Sequence, residues 1–274
     1  MVLKRLGVLG ALAILPAVAQ VSDTTAKAAL LNAFRLRHGP IRIVEKLDNG
    51  SVTSTNWSGY AVTGTDFTTA TGSWIQPAIT CNKKTDSELV AFWVGIDGYN
   101  DDTVEQTGTL AGCMDGVVTY SAWYEFYPLE DIIEIPGITV NPGDKFKTEV
   151  KYSAGEFTLS ISDVTTGKHF STTGTQSGTE RASAEWITEA PCCIRSGAVY
   201  PIPDYGTALF GKDNTGYAGT NSAADSTHSG PFNTFPSADV FAITMVNANT
   251  SASESVPSIP SSDGTSFSVQ WVSP

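Results

Sequence analysis

Lys145-Phe146-Lys147-Thr148-Glu149-Val150-Lys151-Tyr152, followed by Ser153-Ala154-Gly155-Glu156 and then Phe157-Thr158-Leu159-Ser160-Ile161-Ser162-Asp163-Val164, is the stretch that decides the class of this chain. Apolar and polar side chains alternate on both sides of a short turn-forming segment, the two-residue period of a strand with one buried face. Working outward, the same β-rich composition returns in Asn56 to Val62, Leu89 to Ile96, Val117 to Tyr127, Ala182 to Ile187, Val240 to Val246 and Phe267 to Val272. Asn141-Pro142-Gly143-Asp144 and Thr166-Gly167-Lys168 punctuate them. Many short strands without intervening amphipathic helices specify an antiparallel sandwich or barrel, not a parallel sheet with crossovers. One all-β domain is expected over residues 55–274, with a long Gly/Asn/Ser/Thr loop at 211–237 and a Ser/Pro-rich excursion from Ser251 to Gly264.

The N-terminal segments read differently. Lys4 and Arg5 precede an apolar run from Leu6 to Val18, and Ala17-Val18-Ala19 supplies a small-x-small cleavage pattern, so residues 1–19 are expected to be a secretory signal peptide. The run is too short and too Pro-interrupted for a membrane span, so no membrane association is expected after its removal. Residues 20–54 contain a helical period at Ala26, Ala29, Leu30, Ala33 and Phe34. Residues 20–50 carry a net charge of +2, whereas residues 51–274 set nine Lys and Arg against 25 Asp and Glu, a net of −16. A short cationic helical segment ahead of an acidic body reads as a pro-segment whose attraction weakens as carboxylates protonate, or as a disordered arm. The overall charge of −12 argues against a nucleic-acid partner, because phosphate binding requires a cationic surface.

Four cysteines in an exported chain point to disulfides. Cys81 and Cys113 would close a loop worth roughly 3 to 4 kcal/mol on the chain-entropy model. The adjacent Cys192 and Cys193 are ambiguous: a strained vicinal bridge, free thiols, or bridges to the other two. The residue inventory then removes several chemistries. Without the pro-segment only His169 and His228 remain, no His-Glu-x-x-His box or zinc-spaced Cys/His group occurs, and there is no Gly-x-Ser-x-Gly elbow. No Asp-Thr-Gly or Asp-Ser-Gly is present either. Carboxylate chemistry without histidine or metal remains, and no cofactor is expected.

Reading strands by face groups Trp93 with Asp97, Trp123 with Glu125 and Tyr127, and Glu185 with Glu189. A carboxylate among aromatics is desolvated, which raises its pKa and suits it to general acid or base work. Simpler roles exist for the same residues. Glu189 is expected to face solvent, Trp93 and Trp123 would serve as plain core, Asp97 before Gly98 as a turn former, and Gln106-Thr107-Gly108 as a hairpin end.

Asn56-Trp57-Ser58-Gly59-Tyr60, Trp93-Val94-Gly95-Ile96-Asp97-Gly98, Gln106-Thr107-Gly108, Trp123-Tyr124-Glu125-Phe126-Tyr127-Pro128 and Ser183-Ala184-Glu185-Trp186-Ile187 together resemble, in order and spacing, the glutamic peptidases or eqolisins. The resemblance covers residues 56 to 190 and implies a concanavalin A-like pair of antiparallel sheets, secreted with a pro-segment and acting as an acid endopeptidase. It implies Gln106 and Glu185 as the catalytic pair, with Trp93, Asp97, Glu125, Trp123 and Tyr127 supporting them or binding substrate. Glu185 would take a proton from water and Gln106 would donate to the oxyanion. Implied partners are polypeptide substrates and the chain's own pro-segment as inhibitor, on a monomer in an acidic extracellular medium. The pair at Cys192-Cys193 departs from the family pattern. Two rival readings are a retaining glycoside hydrolase built on Glu185 and Glu189, and a carbohydrate-binding module in which aromatics stack on sugar. Asn56-Trp57-Ser58 and Asn249-Thr250-Ser251 match glycan acceptors.

Overall fold

A computed structural model describes residues 38–48, 50–82, 87–114, 116–192, 198–211 and 221–274; the expected signal peptide, the helical period at 26–34 and Cys193 lie outside them. Among the described residues the strands are β1 (Ile43–Lys46), β2 (Val52–Ser54), β3 (Trp57–Thr63), β4 (Thr69–Ile75), β5 (Glu88–Ile96), β6 (Val104–Met114), β7 (Val117–Tyr127), β8 (Ile133–Glu134) and β9 (Lys145–Ser153). They continue with β10 (Glu156–Asp163), β11 (Lys168–Gly174), β12 (Ser183–Glu189), β13 (Thr207–Phe210), β14 (Ser222–Ala224), β15 (Ser229–Gly230), β16 (Val240–Val246), β17 (Ser253–Pro257) and β18 (Phe267–Trp271). Two 3-10 turns, Phe232–Thr234 and Ser237–Asp239, are the helical elements in this set.

The alternating stretch from Lys145 onward is the β9–β10 hairpin, paired from Ser153 with Glu156 to Phe146 with Asp163. One layer runs β8-β7-β6-β5-β12-β3-β16-β2-β1. The other runs β11-β10-β9-β4, with β13 and β14 both pairing β4, β15 beside β14 and β18 beside β13. β17 pairs with both β16 and β18, so the layers are one open sheet folded over on itself. Among the described residues the ladders are antiparallel except β16 with β2.

Between the layers, Phe92, Val94, Ile96, Ala184 and Trp186 belong to one core with Trp74, Phe146, Val150, Phe157 and Ile161. Trp186 crosses the interface and donates its indole N–H to the Thr71 carbonyl at 2.7 Å. Gly72 makes that possible, because a Cβ there would meet the Trp186 ring and the Val94 methyl at 2.7 Å. Truncating such a side chain to Ala typically costs about 3–5 kcal/mol. A second apolar cluster lines the outer face of the first layer: Trp57, Ala61, Ala91, Trp93, Leu110, Trp123 and Ile187. A sheet with both faces covered explains why β5, β6 and β12 are almost wholly buried instead of alternating.

Several expectations change. Gln106-Thr107-Gly108 is the middle of β6, not a hairpin end. Gly108 stands opposite Trp93, where a Cβ would lie 2.2 Å from the Phe92 carbonyl oxygen; the glycine serves close approach, not a turn. The Ser251–Gly264 excursion contains β17. Residues 43–54, assigned to the pro-segment, form β1 and β2 and are hydrogen-bonded into the sheet. Cys81 and Cys113 are disulfide-bonded, and Cys192 is also oxidised. Asn56 is buried, its amide donating to the Pro40 carbonyl and accepting from the Arg42 N–H and the Ser54 hydroxyl. It is therefore not a glycan acceptor in the folded chain, whereas Asn249 is exposed.

Candidate active site

Register assembles the site. Glu185 of β12, Gly95 of β5, Gln106 of β6 and Glu125 of β7 stand side by side in one cross-strand row. Two residues along, the row on the same face is Ile187, Trp93, Gly108 and Trp123, and beyond it Glu189 stands beside Ala91. Gly95 and Gly108 flank the Trp93 side chain: a Cβ on Gly95 would sit 2.8 Å from its ring, and one on Gly108 2.6 Å from its Cβ. Trp93, seated in this way, packs edge-on against Trp57 at 5.0 Å and donates its indole N–H to Glu189 Oε2 at 2.8 Å. Glu189 is therefore completely buried, contrary to the expectation that it faces solvent.

Onto this face folds His38, from the segment expected to be removed. Its ring packs against Trp123 with centroids 4.3 Å apart and the planes tilted by 34°, and its Nδ1 lies 2.7 Å from Glu189 Oε2. Its backbone N–H donates to Glu125 Oε2 at 3.1 Å, and its carbonyl oxygen accepts from Gln106 Nε2 at 2.6 Å. Gln106 Nε2 also donates to the same Glu125 oxygen at 3.1 Å. The Glu125 carboxylate thus fixes which way the Gln106 amide faces, turning an N–H toward the bound carbonyl. Gln106 Oε1 and Glu189 Oε1 are buried and accept no hydrogen bond from the described residues. Next along the chain, Gly39 packs against Tyr127: a Cβ there would lie 3.3 Å from its ring.

Glu185 shares the row with Gln106 but makes no hydrogen bond to it. Its environment is a second acidic group at the ends of β5 and β6. Burial holds the Glu185 carboxyl well above the usual carboxylate range; the Ser183 hydroxyl opposes this, and Asp97, Asp101 and Glu105 add to it. Glu105 is raised for the same reasons, burial first and then Asp97 and Asp101. Asp101 is pushed up to about 7 by burial and by Asp97. Asp97 adopts φ 73° and accepts from the backbone N–H groups of Arg181 at 2.9 Å and Ala182 at 2.7 Å. It anchors the entry to β12, and its carboxylate is held by Thr103, Arg181 and Ala182.

The structure thus brings Gln106, Glu125, Trp93, Trp123 and Tyr127 to one place around His38 and Gly39, with Glu189 added. It leaves Glu185 and Asp97 in the neighbouring acidic group. His38 carried no sequence signal, since the segment around it has no motif. Glu189 was visible only as a second acid on the Glu185 face.

The sequence profile of the peptidase A4 family matches residues 55–270. Aspergillopepsin-2 of Aspergillus niger is 31% identical over 182 residues, covering 57% of this chain and 62% of that protein. Scytalidopepsin B of Scytalidium lignicola is 33% identical over 165 residues, 57% of this chain and 59% of that protein. The matched stretches thus span about three fifths of the length of these relatives. Among solved structures, scytalido-glutamic peptidase with a transition state analog inhibitor matches with a TM-score of 0.64 at 24% identity, covering 80% of this chain and 98% of that one. Aspergilloglutamic peptidase from Aspergillus niger matches with a TM-score of 0.52 at 23% identity, covering 68% and 99%. At these identities the structural likeness carries the fold.

Proposed function

The chain belongs to the peptidase A4 family, and from that premise we propose that it is a glutamic-type endopeptidase in which Gln106 and Glu189 work on one peptide carbonyl. The observation that carries this reading is the Gln106 N–H donated to the His38 carbonyl at 2.6 Å, because a buried amide aimed at a peptide oxygen is what an oxyanion site requires. An amide suits acidic conditions, since it donates without titrating.

Glu189 supplies the base. Oε2 is occupied by the Trp93 indole and His38, while Oε1 is uncommitted and able to accept a proton from water. The deprotonated water attacks the carbonyl carbon, the oxygen gathers charge against Gln106, and the Glu189 acid returns its proton to the departing amine. Glu125 holds the Gln106 amide in its donating orientation, and Trp123 and Tyr127 flank the bound chain. Glu185, which the sequence resemblance puts in the base role, fits that role less well, because burial and three neighbouring acids keep it protonated where a base must be ionised. Secretion into an acidic medium, polypeptide substrates and inhibition by the N-terminal segment complete the proposal; His38 filling the groove supports the last of these. Casein digestion at acid pH by the wild type and by Gln106→Ala tests it. Equal digestion by the two would sink the reading.

A further inference from the structure

Building on that reading, we propose that the His38–Gly39 peptide bond is the chain's own processing site, cut by Gln106 and Glu189 so that the mature protein begins at Gly39 and keeps β1 and β2. The carbonyl that Gln106 grips belongs to His38, so the bond presented for attack is the one joining His38 to Gly39. Three further contacts hold the residue before that bond as a substrate residue is held. Its N–H is on Glu125, its ring packs against Trp123, and its Nδ1 is on Glu189. On the leaving side Gly39 passes Tyr127 so closely that a Cβ would already press on the ring. A residue without a side chain fits there best. Glu189 and Gln106, which both hold His38, each keep a buried Oε1 acceptor with no partner among the described residues, and a water entering for the reaction can bond to them.

In the reaction, water oxygen bonds to the His38 carbonyl carbon as its proton passes to Glu189. The carbon–nitrogen bond to Gly39 then breaks, and that proton goes to the Gly39 nitrogen. The products are a His38 carboxylic acid and a free Gly39 amine, with one water consumed.

The segment C-terminal to Gly39 is built into the sheet, which argues for retention of β1 and β2. Asn56 bonds Pro40 and Arg42, Ile41 donates to the Gly98 carbonyl, and β2 pairs with β16. Removing everything up to residue 54 would expose the groups that Val52 covers and strip these bonds, whereas a cut after His38 leaves them intact.

The test is acidification of the purified full-length chain to about pH 4, where the carboxylate base operates, with intact mass and N-terminal sequencing over time. A new terminus at Gly39 is expected in the wild type and none in Gln106→Ala. A synthetic peptide spanning residues 33–44 should be cut by the acidified wild type between its His and Gly. Gly39→Pro, which changes the leaving nitrogen and lies outside the catalytic groups, should keep the full-length chain uncut at this bond. A terminus only elsewhere, for example near residue 55, overturns the inference, as does a Gly39 terminus forming in Gln106→Ala as fast as in the wild type. Casein digestion in the same samples separates the failures. Digestion without a Gly39 terminus sinks this inference and leaves the peptidase reading standing, and no digestion at all sinks both.

Discussion

Exchanging one carboxylate of β12 at a time for its amide separates the two glutamates that share the site face. Glu189→Gln keeps an acceptor for the Trp93 indole and nearly the same volume, but it cannot take a proton from water. Loss of a positioned general base costs about 10²–10⁴ in rate, or roughly 3 to 5.5 kcal/mol of barrier at 1.36 kcal/mol per decade. Glu185→Gln replaces a carboxyl that burial and its acidic neighbours already keep neutral, so the charge of the resting protein does not change. Its hydrolysis should stay within a few-fold of wild type. Both variants are to be assayed by casein digestion at about pH 4, a pH that suits a carboxylate base, with near-UV circular dichroism confirming a native fold. The reasoning is refuted if Glu185→Gln is inactive while Glu189→Gln digests casein, since the base would then sit in the acidic group at the strand ends.

Gln106→Ala should lower kcat by an amount equivalent to about 2.7–4 kcal/mol, the usual loss for one oxyanion donor, with KM changing much less; a pure KM effect would assign Gln106 to binding. Stability should fall as pH rises. Glu185, Glu105 and Asp101 all have folded-state pKa values above their unfolded ones, so the folded chain holds more protons between the two, and its advantage is present below about pH 4 and lost on going up. For Asp101, raised from 3.8 to about 7, the loss is on the order of 2 kcal/mol after discounting for its partial exposure. Urea melts at pH 4 and pH 7 read this directly, and a midpoint that rises with pH would contradict it. Cys113→Ser opens the 32-residue separation between the bridged cysteines and should cost roughly 3 to 4 kcal/mol; an unchanged denaturant midpoint would make the bridge energetically idle. Gly95→Val should displace the Trp93 indole from Glu189 and reduce hydrolysis while the chain still folds, and a fully active variant would show that the indole contact is dispensable.

Strand faces are readable because side-chain direction alternates strictly along a strand, and that puts Trp93, Glu125, Glu185 and Glu189 on sheet surfaces, whereas Gln106 comes only from the family resemblance. Val117–Tyr127 and Val240–Val246 also match the observed strand limits. What alternation does not carry is distance. Glu185 and Glu189 are equivalent by face, and only the bound indole of Trp93, reaching along the sheet from between two glycines, makes Glu189 the partner of the groove. β6 was missed because Gly108 has two meanings, turn or close approach, and the second needs a neighbouring strand to be seen. Asp97, which the resemblance places among the supporting residues, caps two N–H groups at the entry to β12 with its carboxylate, the local backbone role that is its simpler alternative. His38 lies in the stretch that charge and helical period assign to the pro-segment, and neither signal reports that its backbone meets Gln106 and Glu125.

The committed amide of Asn56 has a practical side. A sugar added to that nitrogen during translocation would have to be accommodated where the side chain meets Pro40 and Arg42, and the conjugate could not close the N-terminal strands over the sheet. A eukaryotic expression host that modifies this sequon efficiently would therefore accumulate retained, unfolded material, while a bacterial periplasm or an Asn56→Asp gene would be freed from that particular trap.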